Sequence, residues 1–183
     1  MKWKLLKGIS LFLSFLSCGC INSNTLNFET KKVEWPYSVI DGDTIKINKN
    51  LKVRLFGIDT PETSKLFVKN DLSKLENFYA SKAKSFIRSI TYQKPISLKK
   101  ISNDKYNRWV CIVWCDNKDL SELLILNGLA RVNYVSLNKF SPYWINDSKL
   151  KGYINKLKSI EQSIRRKNIG IWKYSNTLIF HKN

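Results

Sequence analysis

Val39-Ile40-Asp41-Gly42-Asp43-Thr44-Ile45-Lys46 and, after a short turn, Val53-Arg54-Leu55-Phe56-Gly57-Ile58-Asp59-Thr60-Pro61-Glu62 form the stretch that decides the fold. β-Branched and aliphatic residues dominate it, broken by Gly, Asn and Asp, which marks short strands joined by tight turns. The reading predicts three strands, over Val33 to Ile40, Asp43 to Asn48 and Leu51 to Gly57. Asn48-Lys49-Asn50 predicts a hairpin turn, because Asn tolerates positive φ. Pro36 inside the first strand calls for a bulge or an edge position.

Working outward, Thr63 to Lys74 reads as a polar loop. Tyr79, Ala83, Phe86, Ile87 and Ile90 then recur at helical spacing. Ile96 to Ile101 alternates as a strand, and Arg108 to Cys115 reads as another. Asp119-x-x-Glu122 resembles a capping box that opens a short helix ending at Gly128. Leu150, Ile154, Leu157, Ile160 and Ile164 define a longer amphipathic helix, with Lys151, Lys156, Lys158, Arg165 and Arg166 on its other face. Five strands, a helix between the third and fourth, and helices at the end predict an α+β fold: a five-stranded OB-type barrel packed by about three helices.

The first seventeen residues stand apart from this domain. Lys2, Lys4 and Lys7 precede a short apolar run, Leu5 to Leu16, that is closed by Ser17-Cys18-Gly19-Cys20. That is the layout of an export signal, too short for a comfortable transmembrane helix. Phe15-Leu16-Ser17-Cys18 resembles a loose lipoprotein box, which would make Cys18 the lipidated first residue; a plain cleaved signal and an uncleaved anchor are the alternatives. The expected organisation is a signal over 1–17, a tether over 18–32, a domain over 33–173 and a tail over 174–183. The expected localisation is export, either to the cell surface through a lipid anchor or as a secreted protein.

The chain of 183 residues carries 32 Lys and Arg against 14 Asp and Glu, a formal charge of +18. Loss of three signal lysines leaves +15, so the basic character belongs to the domain. Such a balance in a chain that is 43% hydrophobic favours a polyanionic partner for a folded protein. The only histidine is His181, which argues against Ser-His-Asp, Cys-His and His-ligated zinc chemistry. Cys111 and Cys115 lie roughly 13 Å apart along one strand, beyond the ~7 Å that a disulfide spans; core residues are the expected reading, a metal pair the alternative.

Asp41, Asp43, Asp59 and Glu62 place four of the fourteen acids within one short stretch of a basic chain. Strand pairing would bring their two segments to one rim. Carboxylates and backbone carbonyls make an all-oxygen site suited to Ca²⁺ or Mg²⁺. Pro61 biases Thr60 to an extended conformation that presents its carbonyl, and a spare carboxylate could activate water. Arg54 and Arg108 supply forks that match phosphate oxygens.

At these residues the chain resembles the staphylococcal nuclease (thermonuclease) family. The resemblance rests on Val39 to Lys46, Val53-Arg54-Leu55, Gly57 to Thr63, Asp104-Lys105-Tyr106-Asn107-Arg108, Asn127-Gly128-Leu129-Ala130-Arg131-Val132 and Asn168-Ile169-Gly170-Ile171-Trp172, in order, over about residues 33–173. It implies an OB-fold phosphodiesterase that uses one Ca²⁺ ion, cuts DNA and RNA with little sequence preference, leaves 3′-phosphate ends and acts as a monomer. By the same resemblance Asp43, Asp59 and the Thr60 backbone carbonyl would hold the ion, with Asp41 as a nearby carboxylate outside the ligand set. Glu62 would orient or deprotonate water, Arg54 and Arg108 would bind the phosphate, and Lys105, Tyr106 and Tyr134 would line the nucleotide pocket. Asn107 stands where the family usually has glycine, a substitution that Asn's tolerance of positive φ accommodates. Ser136 stands where a second pocket tyrosine is common, and Thr63 to Asn77 matches poorly.

Blander readings compete at several positions. The basic face of residues 149–167 is expected to be a solvated helix surface, and Trp35, Trp109, Trp114, Trp144 and Trp172 are expected to be packing residues. A non-catalytic OB module that binds nucleic acid and a basic surface lipoprotein are the other functional classes. Neither uses the full set Arg54, Asp43, Asp59, Glu62 and Arg108.

Overall fold

The computed structural model describes residues 30–63 and 71–180; the expected signal, Cys18 and most of the tether lie outside the described residues. Nine short strands and four helices follow in the order β1 (Lys31–Val33), β2 (Ser38–Val39), β3 (Thr44–Lys46), β4 (Lys52–Leu55), β5 (Ile58–Asp59), α1 (Asp71–Thr91), β6 (Ile96–Asn103), β7 (Trp109–Cys115), β8 (Lys118–Asp119), α2 (Leu120–Leu126), β9 (Arg131–Val132), α3 (Ser148–Arg166), a 3₁₀ turn (Gly170–Lys173) and α4 (Asn176–Ile179). Seven strands make one curled mixed sheet in the order β1-β6-β7-β4-β3-β2, with β8 on β7, while β5 and β9 pair separately. This is the expected α+β OB-type architecture, with several helices packed on a half-barrel. Among the described residues no helix is long and apolar enough to cross a membrane.

The barrel strands are shorter and more broken than expected. The strand predicted over Val33 to Ile40 is split at a cis Trp35-Pro36 bond into β1, which pairs with β6, and β2, which pairs with β3. Proline has no N–H to give the ladder, so pairing stops there. The hairpin between β3 and β4 does not use positive φ at asparagine. The Asn48 side chain instead accepts from the backbone N–H groups of Asn50 and Leu51, both at 2.9 Å. Asn107 does sit at φ 60°, as its place before Arg108 requires.

Core formation follows the strand period. Val53 and Leu55 are buried while Arg54, between them, points to the opposite side. β4 pairs parallel with β7, setting Arg54 opposite Val110 and Leu55 opposite Cys111. Cys111 and Cys115 are buried free thiols, and burial pushes the Cys111 pKa up to about 12. Tyr79, Ala80, Ala83 and Ile87 line the inner face of α1. That helix begins at Asp71, inside the segment expected to be loop as far as Lys74.

Asp119 caps α2 by accepting from the Glu122 N–H at 3.0 Å. The box is not reciprocal in the way expected, since the Glu122 carboxylate pairs with Lys156 of α3 at 2.5 Å. Asp147 caps α3 in the same manner, accepting from Leu150 N–H at 2.8 Å. Gly128 and Gly170, both at positive φ, pack backbone against backbone, and Ile171 N–H donates to the Gly128 carbonyl at 2.8 Å. A side chain at either position would collide with the other main chain. The fold therefore runs beyond the boundaries 33 and 173: Lys31 and Lys32 are in β1, and Ile179 and Phe180 are buried.

Asp119 also accepts from the buried Tyr153 hydroxyl at 3.0 Å, and burial, against its hydrogen bonds, raises its pKa to about 6. Below about pH 4 the carboxyl is protonated in both folded and unfolded chains. Between about pH 4 and 6 only the unfolded chain releases the proton, so stability falls as pH rises. Asp119→Asn keeps the oxygen cap and cannot ionise. In urea unfolding its stability relative to wild type should grow from pH 4 to pH 6 by on the order of 2 kcal/mol, then level off; a constant difference would refute this.

Candidate active site

Asp43 opens β3 at the end of the Asp41-Gly42 turn. The turn is held by Asp41 Oδ1, which accepts from the Asp43 N–H at 3.1 Å, and by Ile40 N–H, which donates to the Thr44 carbonyl at 2.9 Å. Gly42 is required by space here. A Cβ at this position would lie 2.6 Å from Ala83 Cβ on α1 and 2.9 Å from the Thr60 side chain. The turn is thus sandwiched between α1 and the segment that leaves β5.

The Asp43 carboxylate is buried and fully engaged. Oδ1 accepts from Arg54 Nη1 at 2.8 Å and from Thr44 Oγ1 at 3.1 Å; Oδ2 accepts from Thr60 N–H at 3.1 Å and Thr60 Oγ1 at 3.2 Å. Arg54 then reaches across with Nη2 to Asp59 Oδ1 at 3.1 Å. Asp59 Oδ2 receives Arg131 through Nε at 3.1 Å and Nη2 at 2.9 Å, and Asn133 Nδ2 at 3.4 Å. One guanidinium bridges the two carboxylates, and a second clamps the outer one.

The electrostatics follow from this crowding. Burial raises the Asp43 pKa to about 7; Arg54 opposes the rise, and the neighbouring Asp41 and Asp59 charges add to it. Burial alone would weaken the Arg54 charge, but Asp43 and Asp59 outweigh it and hold the guanidinium protonated. Arg108 completes the rim. Its Nε pairs with Asp104 at 2.6 Å, and its Nη1 lies 3.4 Å from Thr44 Oγ1, the hydroxyl that donates to Asp43.

The structure therefore brings Asp41, Asp43, Asp59, Thr60, Arg54 and Arg108 to one rim. Glu62 is exposed just beyond the buried Pro61, at the exit from the same segment. Tyr134, at φ 57°, sets its ring 5.1 Å from the Arg54 guanidinium carbon. Tyr106 is 68% exposed on the β6–β7 turn, 5.3 Å from the Arg108 guanidinium carbon and 5.1 Å from Lys105 Nζ.

Three participants were not assigned from sequence. Arg131 lies within a recognised segment, and a basic residue set among the apolar Leu129, Ala130 and Val132 was the available signal. Asp104 anchors Arg108 by side chain and also accepts from the backbone N–H groups of Tyr106 and Arg108, both at 2.9 Å. Thr44 links Arg108 to Asp43, a role no sequence pattern announces.

Every side chain converging on Asp43 and Asp59 offers oxygen or a cationic nitrogen donor, so the only metal this chemistry fits is a hard, oxygen-seeking cation. Among the described residues no group of three or more His, Cys, Asp or Glu is arranged to hold a metal unaided. Two carboxylates would need carbonyl or water oxygens to complete a coordination shell.

Residues 52–174 match the family model described as staphylococcal nuclease homologue. The chain is 36% identical over 137 residues to the SPbeta prophage-derived endonuclease YokF of Bacillus subtilis, covering 73% of this chain and 41% of that protein. It is 33% identical over 171 residues to endonuclease YncB of the same organism, covering 84% and 74% of the two chains. It is also 33% identical over 129 residues to the thermonuclease of Staphylococcus hyicus, covering 68% and 69%.

The close approach at Gly42 carries a prediction. Gly42→Ala should cost about 1–3 kcal/mol of unfolding free energy, and Ala83→Gly, which deletes the nearest obstructing atom, should recover part of it in a double-mutant cycle. Additive effects of the two substitutions in urea melts would show that the contact is relaxed at no cost.

Proposed function

The chain belongs to the staphylococcal nuclease family, and from that membership we propose that it is a Ca²⁺-dependent nuclease that hydrolyses phosphodiester bonds of DNA and RNA with little sequence preference. The observation that carries the reading is the convergence of Arg54 and Arg108 on a buried carboxylate pair. Arg54 bridges Asp43 and Asp59, and Arg108 reaches Thr44 beside Asp43. A binding module has no use for buried acids beside its phosphate-reading arginines, because they repel the ligand.

Asp43, Asp59 and the Thr60 carbonyl would hold the ion, with Asp41 alongside. Bound there, Ca²⁺ supplies Lewis-acid polarisation of a phosphate oxygen and neutralises the acids. The residues of the chain do the rest. Arg54 and Arg108 offer planar forks to the non-bridging phosphate oxygens and stabilise the charge that builds on them as water attacks phosphorus. Glu62, exposed at the rim, accepts the proton of that water. Lys105, Tyr106 and Tyr134 flank the arginines and seat the nucleotide. Departure of the 5′ oxygen leaves a 3′-phosphate end. The N-terminal signal, with Cys18 as the lipid site, would deliver this activity to the cell surface, where it would work as a monomer.

Purified protein should degrade DNA and RNA in the presence of Ca²⁺, stop on chelation and resume on Ca²⁺ addition. Intact nucleic acid after incubation with Ca²⁺ would overturn the assignment. Glu62→Gln should lower kcat by about 10²–10⁴-fold. Arg108→Ala should lower it by a factor of about 10² or more; in both variants the melting temperature should stay near that of wild type. Independently of turnover, Ca²⁺ should raise the melting temperature of wild type by selective binding to the folded state, and Asp59→Asn should blunt that rise. Intact mass of the exported protein should show a diacylglycerol adduct on a chain that begins at Cys18; an unmodified mature chain would rule out the anchor.

A further inference from the structure

We propose that the segment Tyr134–Trp144 is a stacking platform that makes single-stranded nucleic acid the preferred substrate, an inference that rests on the nuclease reading. Four large aromatic residues of this one segment face solvent: Tyr134 at 42% exposure, Phe140 at 83%, Tyr143 at 47% and Trp144 at 43%. Burial cannot account for them. Val135, Leu137 and Ile145 of the same stretch pack against the core, so the segment is anchored with its aromatic side turned outward.

The exposure is imposed by a web of local hydrogen bonds. Ser136 N–H donates to the Tyr143 carbonyl at 2.8 Å, and Ile145 N–H donates to the Ser136 carbonyl at 2.9 Å, which ties the two ends of the loop together. Inside it, Asn138 Oδ1 accepts from the Phe140 N–H and Ser141 Oγ from the Tyr143 N–H, both at 3.1 Å. Holding apolar rings in water on a fixed loop has no benefit to folding; exposed aromatic groups of this kind mark an interaction surface.

Position and charge select the partner. Tyr143 meets Tyr134 edge to face, with ring centroids 5.4 Å apart, and Tyr134 lies against Arg54. The rings therefore run outward from the phosphate-reading arginine. Lys139 Nζ lies 5.1 Å from the Phe140 ring, adding a cation beside the outermost aromatic. Alternating rings and cations match an unpaired strand, whose bases can leave the stack and lie on aromatic faces while its phosphates meet the cations. The bases of an intact duplex have their faces already covered by one another, so a duplex gains nothing from the rings.

The test compares wild type with Phe140→Ala/Tyr143→Ala/Trp144→Ala on heat-denatured DNA and on duplex DNA of the same sequence. The ratio of single-strand KM to duplex KM should rise about tenfold in the triple variant. Phe140→Trp/Tyr143→Phe/Trp144→Phe, which keeps rings at all three positions, should restore the wild-type ratio. A second arm needs no cleavage: fluorescence anisotropy with a labelled oligothymidylate in chelator should show affinity about tenfold weaker for the alanine variant, with circular dichroism melts verifying its fold. Absence of cleavage by wild type would defeat the nuclease reading while this arm still decides the platform. An unchanged KM ratio, equal losses on both substrates, or unchanged oligothymidylate affinity in a folded variant would overturn the platform.

Discussion

Arg54 is the residue on which the candidate site turns, because its guanidinium is nearly removed from water and held between Asp43 and Asp59. Its side chain is 12% exposed, against 4% and 9% for the two carboxylates. Charges this sheltered are costly to desolvate and are stabilised only while their partners remain, so loss of one partner from such a group costs about 3–5 kcal/mol. The bridge is also architectural. β5 and β9 pair outside the large sheet, and the large sheet ends its contribution to the rim at β3 and β4. Arg54 joins β4 to both the Asp43 turn and β5, and Asp59 passes the connection to Arg131 on β9. Polar contacts do here what a backbone ladder does elsewhere in the barrel.

Helices hold that rim in register by close approach. Gly42 lets α1 come within contact of the Asp43 turn and Thr60 together, which places two Thr60 donors on one Asp43 oxygen. At the other end of α1, the Tyr79 hydroxyl donates to the Gly170 carbonyl at 3.0 Å, and Gly170 rests on Gly128. One helix is therefore fixed against both the turn that carries Asp43 and the chain reversal that follows α3. Phe180 adds a last contact, packing 3.8 Å from the guanidinium carbon of Arg131, whose other side grips Asp59. The extreme C-terminal segment acts on the site through one arginine.

Much of this was legible because it is local. Strand alternation around Val53 and Leu55, the helical stripe at Tyr79, Ala83 and Ile87, and the cap at Asp119 depend on neighbours within a few residues. Clustered acids in a basic chain pointed to the rim for the same reason. What escaped depends on distant partners. Glu122 turned to Lys156 instead of closing its capping box, a choice set by the packing of α2 on α3. Arg131 could not be assigned from its own segment, since its role is defined by Asp59, seventy-two positions earlier. Phe180 and β1 were taken for tail and tether because short polar-flanked segments carry no period of their own. The expectation that the tryptophans pack inside failed for Trp35 and Trp144, which are 40% and 43% exposed. Tryptophan composition favours burial, and only the fold reveals which rings lack a core to enter.

The charge distribution joins these observations. The polar cluster at the rim holds four carboxylates, Asp41, Asp43, Asp59 and Asp104, against three guanidiniums, Arg54, Arg108 and Arg131. A molecule with a formal charge of +18 is thus slightly acidic at the one place where its arginines converge. Long-range attraction of a polyanion belongs to the surface lysines, whereas the rim by itself would hold a phosphate poorly. One divalent cation among the acids would reverse that local balance and release the guanidiniums, now engaged with Asp43, Asp59 and Asp104, for a phosphate. Cation and substrate would then favour each other's binding by the reciprocity of linked equilibria. Outside this balance stand Tyr134 and Tyr143, whose uncharged rings offer contact to bases irrespective of the metal. Recognition of the bases and recognition of the phosphate would thereby be divided between two adjoining surfaces, one built of rings on a fixed loop and the other of charges buried in the barrel.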